Sequence, residues 1–391
     1  MTDTRYGALN VVPDGAGYVL GSRYSRDFVA VPAIGGDVVR WLQAGDSVEE
    51  CARRAEERMG EPVDVAGFVA GLAEAGLLPT DGVEAVPTRV PAWARRTGRV
   101  LFGPAGLAVQ AALTLTAAAA MVAVPRLRPA YTDAIVTGVP LVSLVVVALV
   151  GTASGLVHEC AHVLAAAARG VPSRVSISRR MVTLVYQTDL TRLWGVPRRT
   201  RVVPLLAGML SDAATVGVVV LLELTVLRGA PPLAVQLARA LVFVKVAGLV
   251  FQLEVFMRTD LYALFVVATG CRNLWGTKGA VARSAVRRAS AEDRALLDTV
   301  DRKEVFWARV YLFLYVPGVV WTAWYFAVFA VPAVRRLLAM SVDAVATHGP
   351  VSPVGAAGVL ALAVTVASTG FVLWGVARTA ARLTGQLLRR D

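Results

Sequence analysis

From residue 101 onward, long apolar runs alternate with short segments rich in basic residues. Each run is long enough to cross a bilayer as a helix, which takes about 20 predominantly apolar residues. The first 95 residues contain no such run. The pattern therefore predicts six transmembrane helices, at 101–125, 134–167, 202–227, 233–257 (with a continuation to 269 left open), 306–332 and 353–377.

The N-terminal part of the chain has a different pattern. Tyr18–Ile34 alternates and contains turn residues, which predicts two or three short strands. Helices are predicted at Gly36–Leu42, at Ser47–Met59, where Ser47 and Glu50 have the spacing of a capping box, and at Val63–Ala75. Residues 1–85 are thus predicted to form a small α+β, winged-helix-like cytosolic domain. A Pro- and Arg-rich linker at 86–100 and a membrane domain at 101–391 are predicted to follow.

Composition supports a membrane protein and excludes a soluble cytoplasmic enzyme. Hydrophobic residues make up 56% of the chain, charged residues 17%, and the mean hydropathy is +0.60. Soluble domains carry about 25% charged residues. We expect no signal peptide, because the first 20 residues lack a basic start followed by an apolar core.

The charge distribution predicts the orientation. With the N-terminus inside, the cytosolic segments next to the spans hold 24 Lys and Arg residues, over 89–100, 169–201, 271–304 and 378–391. The external loops with their flanks hold 6, over 126–133, 228–239 and 334–352. Positive residues concentrate on the cytoplasmic side of membrane proteins. The sequence therefore predicts a multi-pass protein of the cell membrane with both termini in the cytosol.

One motif carries chemistry. His158-Glu159-Cys160-Ala161-His162 lies near the end of the second predicted span. This spacing places two imidazoles on one helix face, where both can bind one Zn²⁺, and it places Glu159 to act as a general base. Burying such residues in a membrane helix is costly, which by default indicates a function.

A zinc site needs a third protein ligand. The acidic candidates in or near the apolar spans are Asp212, Glu223, Glu254 and Asp260. Asp260 is expected at the cytosolic end of the fourth span, at a depth similar to that of the two histidines, and is favoured. Asp212 is expected to contact a ligand or pack helices rather than bind metal. Lys245 is predicted to pair with Glu254, to line a water-filled cavity or to extend to the membrane surface.

These residues resemble the site-2 protease class of intramembrane zinc metalloproteases over roughly residues 101–270. In the branch of that class found with peptide-modifying systems, the third ligand lies in a Phe-x-Arg-x-Asp-Gly-Tyr run. Here the corresponding run is Phe256-Met257-Arg258-Thr259-Asp260-Leu261-Tyr262. The resemblance implies a site-2 protease-like core with His158, His162 and Asp260 as zinc ligands and Glu159 as the catalytic residue. Leu261 replaces the glycine, which puts the local turn in question.

The N-terminal domain resembles PqqD-like peptide-recognition domains. The resemblance lies in Val38–Glu50 and in the closing run Leu72-Ala73-Glu74-Ala75-Gly76-Leu77-Leu78. It implies that residues 1–85 bind the leader of a ribosomally made precursor peptide, as an added strand on a sheet edge. Together, the two parts resemble daptide-type metalloproteases. Removal of the leader, with export proteins or modifying enzymes as further partners, is the implied function.

Two other functions stay open on the sequence. One is regulated proteolysis of a membrane-anchored signalling protein, and the other is a non-catalytic membrane scaffold or an immunity or export subunit. The basic segment 271–304 is predicted to lie on anionic lipid rather than to bind nucleic acid, because no aromatic residues are interleaved with its charges.

Overall fold

The computed structural model describes residues 5–25, 27–79, 89–180 and 183–388. The chain is mostly helical, with a small sheet at its N-terminus. Within the described residues, six helical stretches are long and apolar enough to cross a membrane, as predicted. A multi-pass membrane protein is therefore the architecture that the helices support.

The N-terminal part contains three strands followed by three helices. The antiparallel sheet has the order β1-β2-β3, which leaves β1 and β3 as its edges. The first strand precedes the predicted window and contains Pro13, which an edge strand tolerates. The elements are β1 Leu9–Asp14, β2 Gly17–Ser22, β3 Phe28–Pro32, α1 Ala33–Ala44, α2 Val48–Met59 and α3 Val65–Glu74.

Local signals in the sequence explain where these helices begin and end. The Ser47 hydroxyl accepts a hydrogen bond from the Glu50 N–H at 3.1 Å, which caps the start of α2. Gly60 ends α2 with a left-handed φ of 77°. Leu20, Val39, Leu42 and Cys51 pack in the core that joins the sheet to the helices.

The proposed boundary at residues 85 and 86 lies outside the described residues. Much of the predicted linker that follows is helical, over Ala92–Phe102, which we label α4. Its Ala94 and Phe102 are buried, and a Cβ at Gly98 would come within 2.0 Å of the Leu164 carbonyl oxygen. This segment therefore packs closely on the helix that carries the His158 motif instead of extending as a spacer.

The remaining elements follow in chain order. They are α5 Pro104–Ala123, α6 Pro140–Ala168, β4 Arg174–Arg180, β5 Thr183–Asp189, α7 Arg198–Leu224, α8 Pro232–Gln252, α9 Asp260–Thr269, α10 Leu274–Ala285, α11 Ala291–Thr299, α12 Arg302–Tyr325, α13 Val331–His348 and α14 Pro353–Leu388.

Three spans differ from their predicted form. The fourth ends at Gln252, and its proposed continuation is the separate short helix α9. The fifth runs through a π-helical stretch, Phe326–Ala330, into α13, so that one helical stretch covers Arg302–His348. The sixth continues as a helix beyond its apolar part, to Leu388.

A hairpin follows the helix that carries the His158 motif. Strands β4 and β5 pair antiparallel, from Arg174 opposite Asp189 to Arg180 opposite Thr183. Met181 and Val182, between the two strands, lie outside the described residues. The hairpin follows α6 directly and packs back against it.

Candidate metal centre

Three side chains from two helices converge on one point. Nε2 of His158 lies 3.0 Å from Oδ2 of Asp260, and Nε2 of His162 lies 3.2 Å from the same oxygen. The two Nε2 atoms are 3.2 Å apart. A group of this kind could hold a metal ion. The structure thus brings together the three residues that the sequence predicted as ligands.

Helix α6 places the two histidines. They are four residues apart, so their rings project from one face of the helix. His162 is almost completely buried, and His158 is nearly so. The side chain of Asp260 is 28% exposed, which leaves one side of the group open.

The Nδ1 partners fix which nitrogen of each ring faces the centre. Nδ1 of His162 lies 2.7 Å from the backbone oxygen of Pro204, which can only accept a hydrogen bond. Nδ1 of His158 lies 2.8 Å from Oδ2 of Asp212. An acceptor oxygen thus lies at Nδ1 of each ring, and Nε2 of each ring faces Asp260, the orientation that a metal-binding histidine requires.

A buried cation balances Asp212. Nζ of Lys245 donates a hydrogen bond to Oδ1 of Asp212 and another, at 3.1 Å, to the backbone oxygen of Ser154. Asp212 and Lys245 are both buried. Of the alternatives for Lys245, pairing with Glu254 is wrong, because its ion pair is with Asp212. Asp212 contacts His158, in line with the expectation that it contacts a ligand.

A break between α8 and α9 brings Asp260 to the histidines. Two hydrogen bonds to Gln252 stabilise this break. Its side-chain oxygen accepts one from the Asp260 N–H at 3.0 Å, and its backbone oxygen accepts one from the Thr259 hydroxyl at 2.8 Å. Arg258 provides the left-handed turn residue, with φ 59°. Leu261 is helical, so the turn does not depend on a glycine at that position.

Close helix packing also shapes the site. A Cβ atom built on Gly208 of α7 would lie 2.3 Å from Nε2 of His158, which is too close for any side chain. The glycine therefore lets the imidazole lie against the α7 backbone. Steric contact of this kind leaves no pattern in a single sequence.

Glu159 does not join the three converging side chains. Its Oε2 accepts hydrogen bonds from the N–H and the hydroxyl of Thr188, both at 2.7 Å. Together with His162 and Asp260, it lines a cavity of about 430 Å³. Strand β5 thus fixes the direction of this carboxylate, a role for Thr188 that sequence reasoning missed.

The other acidic candidates are not part of this group of three. Among the described residues, only His158, His162 and Asp260 form such a group; Glu223 and Glu254 lie elsewhere in the fold.

The N-terminal domain is in contact with this region. Nε of Arg198, at the start of α7, donates a 2.6 Å hydrogen bond to Asp14 of β1, and Asn10 donates one to the Gly195 backbone oxygen at 2.9 Å. A second cavity, of about 300 Å³, lies between the two parts, and Thr191 and Trp194 line both cavities. The domain therefore lies at the same end of the molecule as the metal group.

Comparison with known proteins gives no match. No protein-family model, no curated protein and no solved structure is significantly similar to this chain.

Proposed function

We propose that this protein is a membrane-embedded zinc endopeptidase. The observation that carries the proposal is the convergence of two imidazole nitrogens and one carboxylate oxygen, with a second carboxylate, Glu159, in the same cavity. Two neutral histidines and a carboxylate, with one side open, are the ligand set of catalytic rather than structural zinc sites.

The separations support a tetrahedral ion. With metal–ligand bonds of about 2.0–2.1 Å, two ligand atoms of a tetrahedral zinc lie about 3.3 Å apart. The three separations here are 3.0, 3.2 and 3.2 Å.

Each residue of the site would have a separate role in hydrolysis. Zinc, when bound, would supply a Lewis acid that polarises a peptide carbonyl and lowers the pKa of water. Glu159 would take the proton of the attacking water and pass it to the leaving amine. Thr188 holds that carboxylate in place, and Asp212 and the Pro204 carbonyl hold the two imidazoles.

The N-terminal domain supports a peptide substrate whose leader is bound at a distance from the bond that is cut. Strand β3 has a free edge within the described sheet, and its Phe28 and Ala30 line the second cavity. A leader that pairs with this edge would enter next to the first cavity. We therefore infer that the substrate is a ribosomally made precursor peptide that loses its leader here.

The test measures metal content and cleavage together. Purified protein in detergent should contain about one zinc per chain, and Asp260→Ala and His158→Ala should lose most of it. Glu159→Gln should retain zinc and abolish cleavage of a pool of internally quenched peptides. Absence of zinc after metal loading, or undiminished cleavage by Glu159→Gln, would overturn the proposal and leave a non-catalytic scaffold as the better description.

A further inference from the structure

The cavity next to the metal group is lined by more positive than negative charge. Besides Glu159 and Asp260, its charged lining residues are Arg201, Arg258 and Arg272. Both carboxylates are already engaged: Glu159 accepts two hydrogen bonds from Thr188, and Asp260 faces the two histidines.

Within the described parts of the chain, the guanidinium groups of Arg258 and Arg272 form no ion pair and no side-chain hydrogen bond, and both residues are exposed. Arg201 differs from them, because it is buried and lies 3.6 Å from Asp14. Among the described residues, two cationic groups therefore have no counter-charge beside the point where a substrate would be cut.

Arg258 is held in position. Its guanidinium lies over the rings of Trp275 and Tyr262, at 5.3 and 5.9 Å from their centroids. Attraction between the cation and the ring faces holds the group near these rings and uses none of its N–H donors, which can still bind a carboxylate. Both aromatic residues line the same cavity.

The backbone of Arg258 adds a second observation. Its φ of 59° and ψ of 47° are left-handed, a conformation that favours glycine and is unfavourable for residues with a Cβ atom. Arg287 is the other non-glycine residue with positive φ in the described chain. An arginine at a strained position, two residues from Asp260, is consistent with a side chain that is needed there.

The backbone of Arg272 is held by Glu304. The carboxylate of Glu304 accepts hydrogen bonds from the backbone N–H groups of Arg272 and Asn273, at 3.0 and 2.6 Å. Arg272 also lines the second cavity, and its guanidinium reaches towards Gly17 of β2. The two arginines thus lie between the N-terminal domain and the metal group.

We propose that this cavity binds a peptide carboxylate next to the scissile bond, through Arg258 and Arg272. This inference rests on the proposed peptidase function and names its substrate class: peptides that are acidic at the cut. The carboxylate is either an Asp or Glu side chain or a free C-terminus, and both have the same chemistry towards the two guanidinium groups.

The test measures binding in the full-length Glu159→Gln protein, which does not consume its ligand. Three fluorescein-labelled peptides share one Ala/Thr/Gly framework. The first has central glutamates and an amidated C-terminus, the second has central glutamines and a free C-terminus, and the third has glutamines and an amide. Fluorescence anisotropy then gives the affinity of each peptide, at low and at high salt.

We expect the first or the second peptide to bind about tenfold more tightly than the third, which corresponds to about 1.4 kcal/mol. The preferred peptide identifies the source of the carboxylate. The preference should decrease at high salt, because the charges are accessible to solvent.

Two matched variants separate charge recognition from folding. Arg258→Gly removes the guanidinium and relieves the left-handed backbone, so the protein should stay folded and lose the preference. Arg287→Gly makes the same change at the other left-handed arginine, which does not line this cavity, and should keep it.

Equal binding of all three peptides, or equal loss in both variants, would overturn the inference. Failure of the proposed function would give a different result. The wild-type protein would then hold no zinc and cut no peptide, although its preference for acidic peptides would still depend on Arg258. Cleavage without acid preference would refute only the substrate class.

Discussion

Asp212 bridges a metal-facing histidine and a buried lysine: Oδ2 lies 2.8 Å from Nδ1 of His158, and Oδ1 accepts a hydrogen bond from Lys245. The three residues belong to α6, α7 and α8, so the bridge joins three helices beside the metal group. One oxygen of this carboxylate therefore faces the cation, and the other orients the imidazole that faces the metal group.

Removal of the Asp212 charge is expected to weaken metal binding without removing any metal-facing atom. Asp212→Asn should lower zinc affinity by about 10–100-fold, the usual effect of losing the partner of a ligating histidine. Competition with a fluorescent chelator measures the change. Glu223→Gln, on the same helix but outside the metal group, is the matched control and should bind zinc normally.

Loss of Lys245 is expected to act through stability as well. Lys245→Met leaves Asp212 charged and buried, and removal of one partner from a buried ion pair costs about 3–5 kcal/mol. The double variant Lys245→Met/Asp212→Asn should recover part of that loss, because the unpaired charge is gone. Denaturation in mild detergent, followed by tryptophan fluorescence, tests this. A double variant that is less stable than Lys245→Met would contradict the pairing.

Gly208 is expected to be essential for metal binding because of its contact with His158. In Gly208→Ala, a methyl group would lie 2.3 Å from Nε2 of His158 and displace the ring, so zinc content should fall towards that of His158→Ala. Gly248→Ala in α8 is the control, since a Cβ there has no neighbour within 4 Å. Zinc retained in Gly208→Ala would show that α6 and α7 can separate without loss of the site.

The parts of the site that were predictable from the sequence are those set by spacing along one helix or by depth in the membrane. His158 and His162 share a face because they are four residues apart, and Asp260 lies with them because both segments end at the same side. Apolar run length likewise gave the number of spans.

Contacts that depend on rotation of one helix against another could not be predicted. Lys245 had acidic residues available on α7 and just beyond the end of α8, and only the packing of α6, α7 and α8 selects Asp212 over Glu254. The support of Glu159 by Thr188 depends on the return of the β4–β5 hairpin to α6. The break after Gln252 is stabilised by a side chain eight residues away from Asp260, and hydropathy does not reveal it.

Thr188 is expected to influence catalysis without affecting the metal. Thr188→Val removes the hydroxyl at Oε2 of Glu159 and keeps the backbone N–H bond, so the carboxylate should be less well fixed. We expect kcat to fall about tenfold, with KM and zinc content unchanged. Thr114→Val is the control, because the Thr114 hydroxyl bonds only within α5. A parallel loss of zinc would mean that β5 supports the ligands as well as Glu159.

Docking of the N-terminal domain is expected to depend on the Asp14–Arg198 pair. The 2.6 Å bond joins a buried carboxylate to a partly buried guanidinium, and hydrogen bonds between charged groups contribute about 1.5–3 kcal/mol. Asp14→Asn and Arg198→Gln should each increase hydrogen exchange in β1, and the double variant should add little. KM for a leader-containing peptide should rise, while cleavage of short peptides stays unchanged.

Arg53→Gln, whose exposed partners Glu50 and Glu57 lie within α2, is the control and should change neither measurement. Equal KM effects on short and leader-containing peptides would show that the pair acts on the cavity itself rather than on capture of the leader.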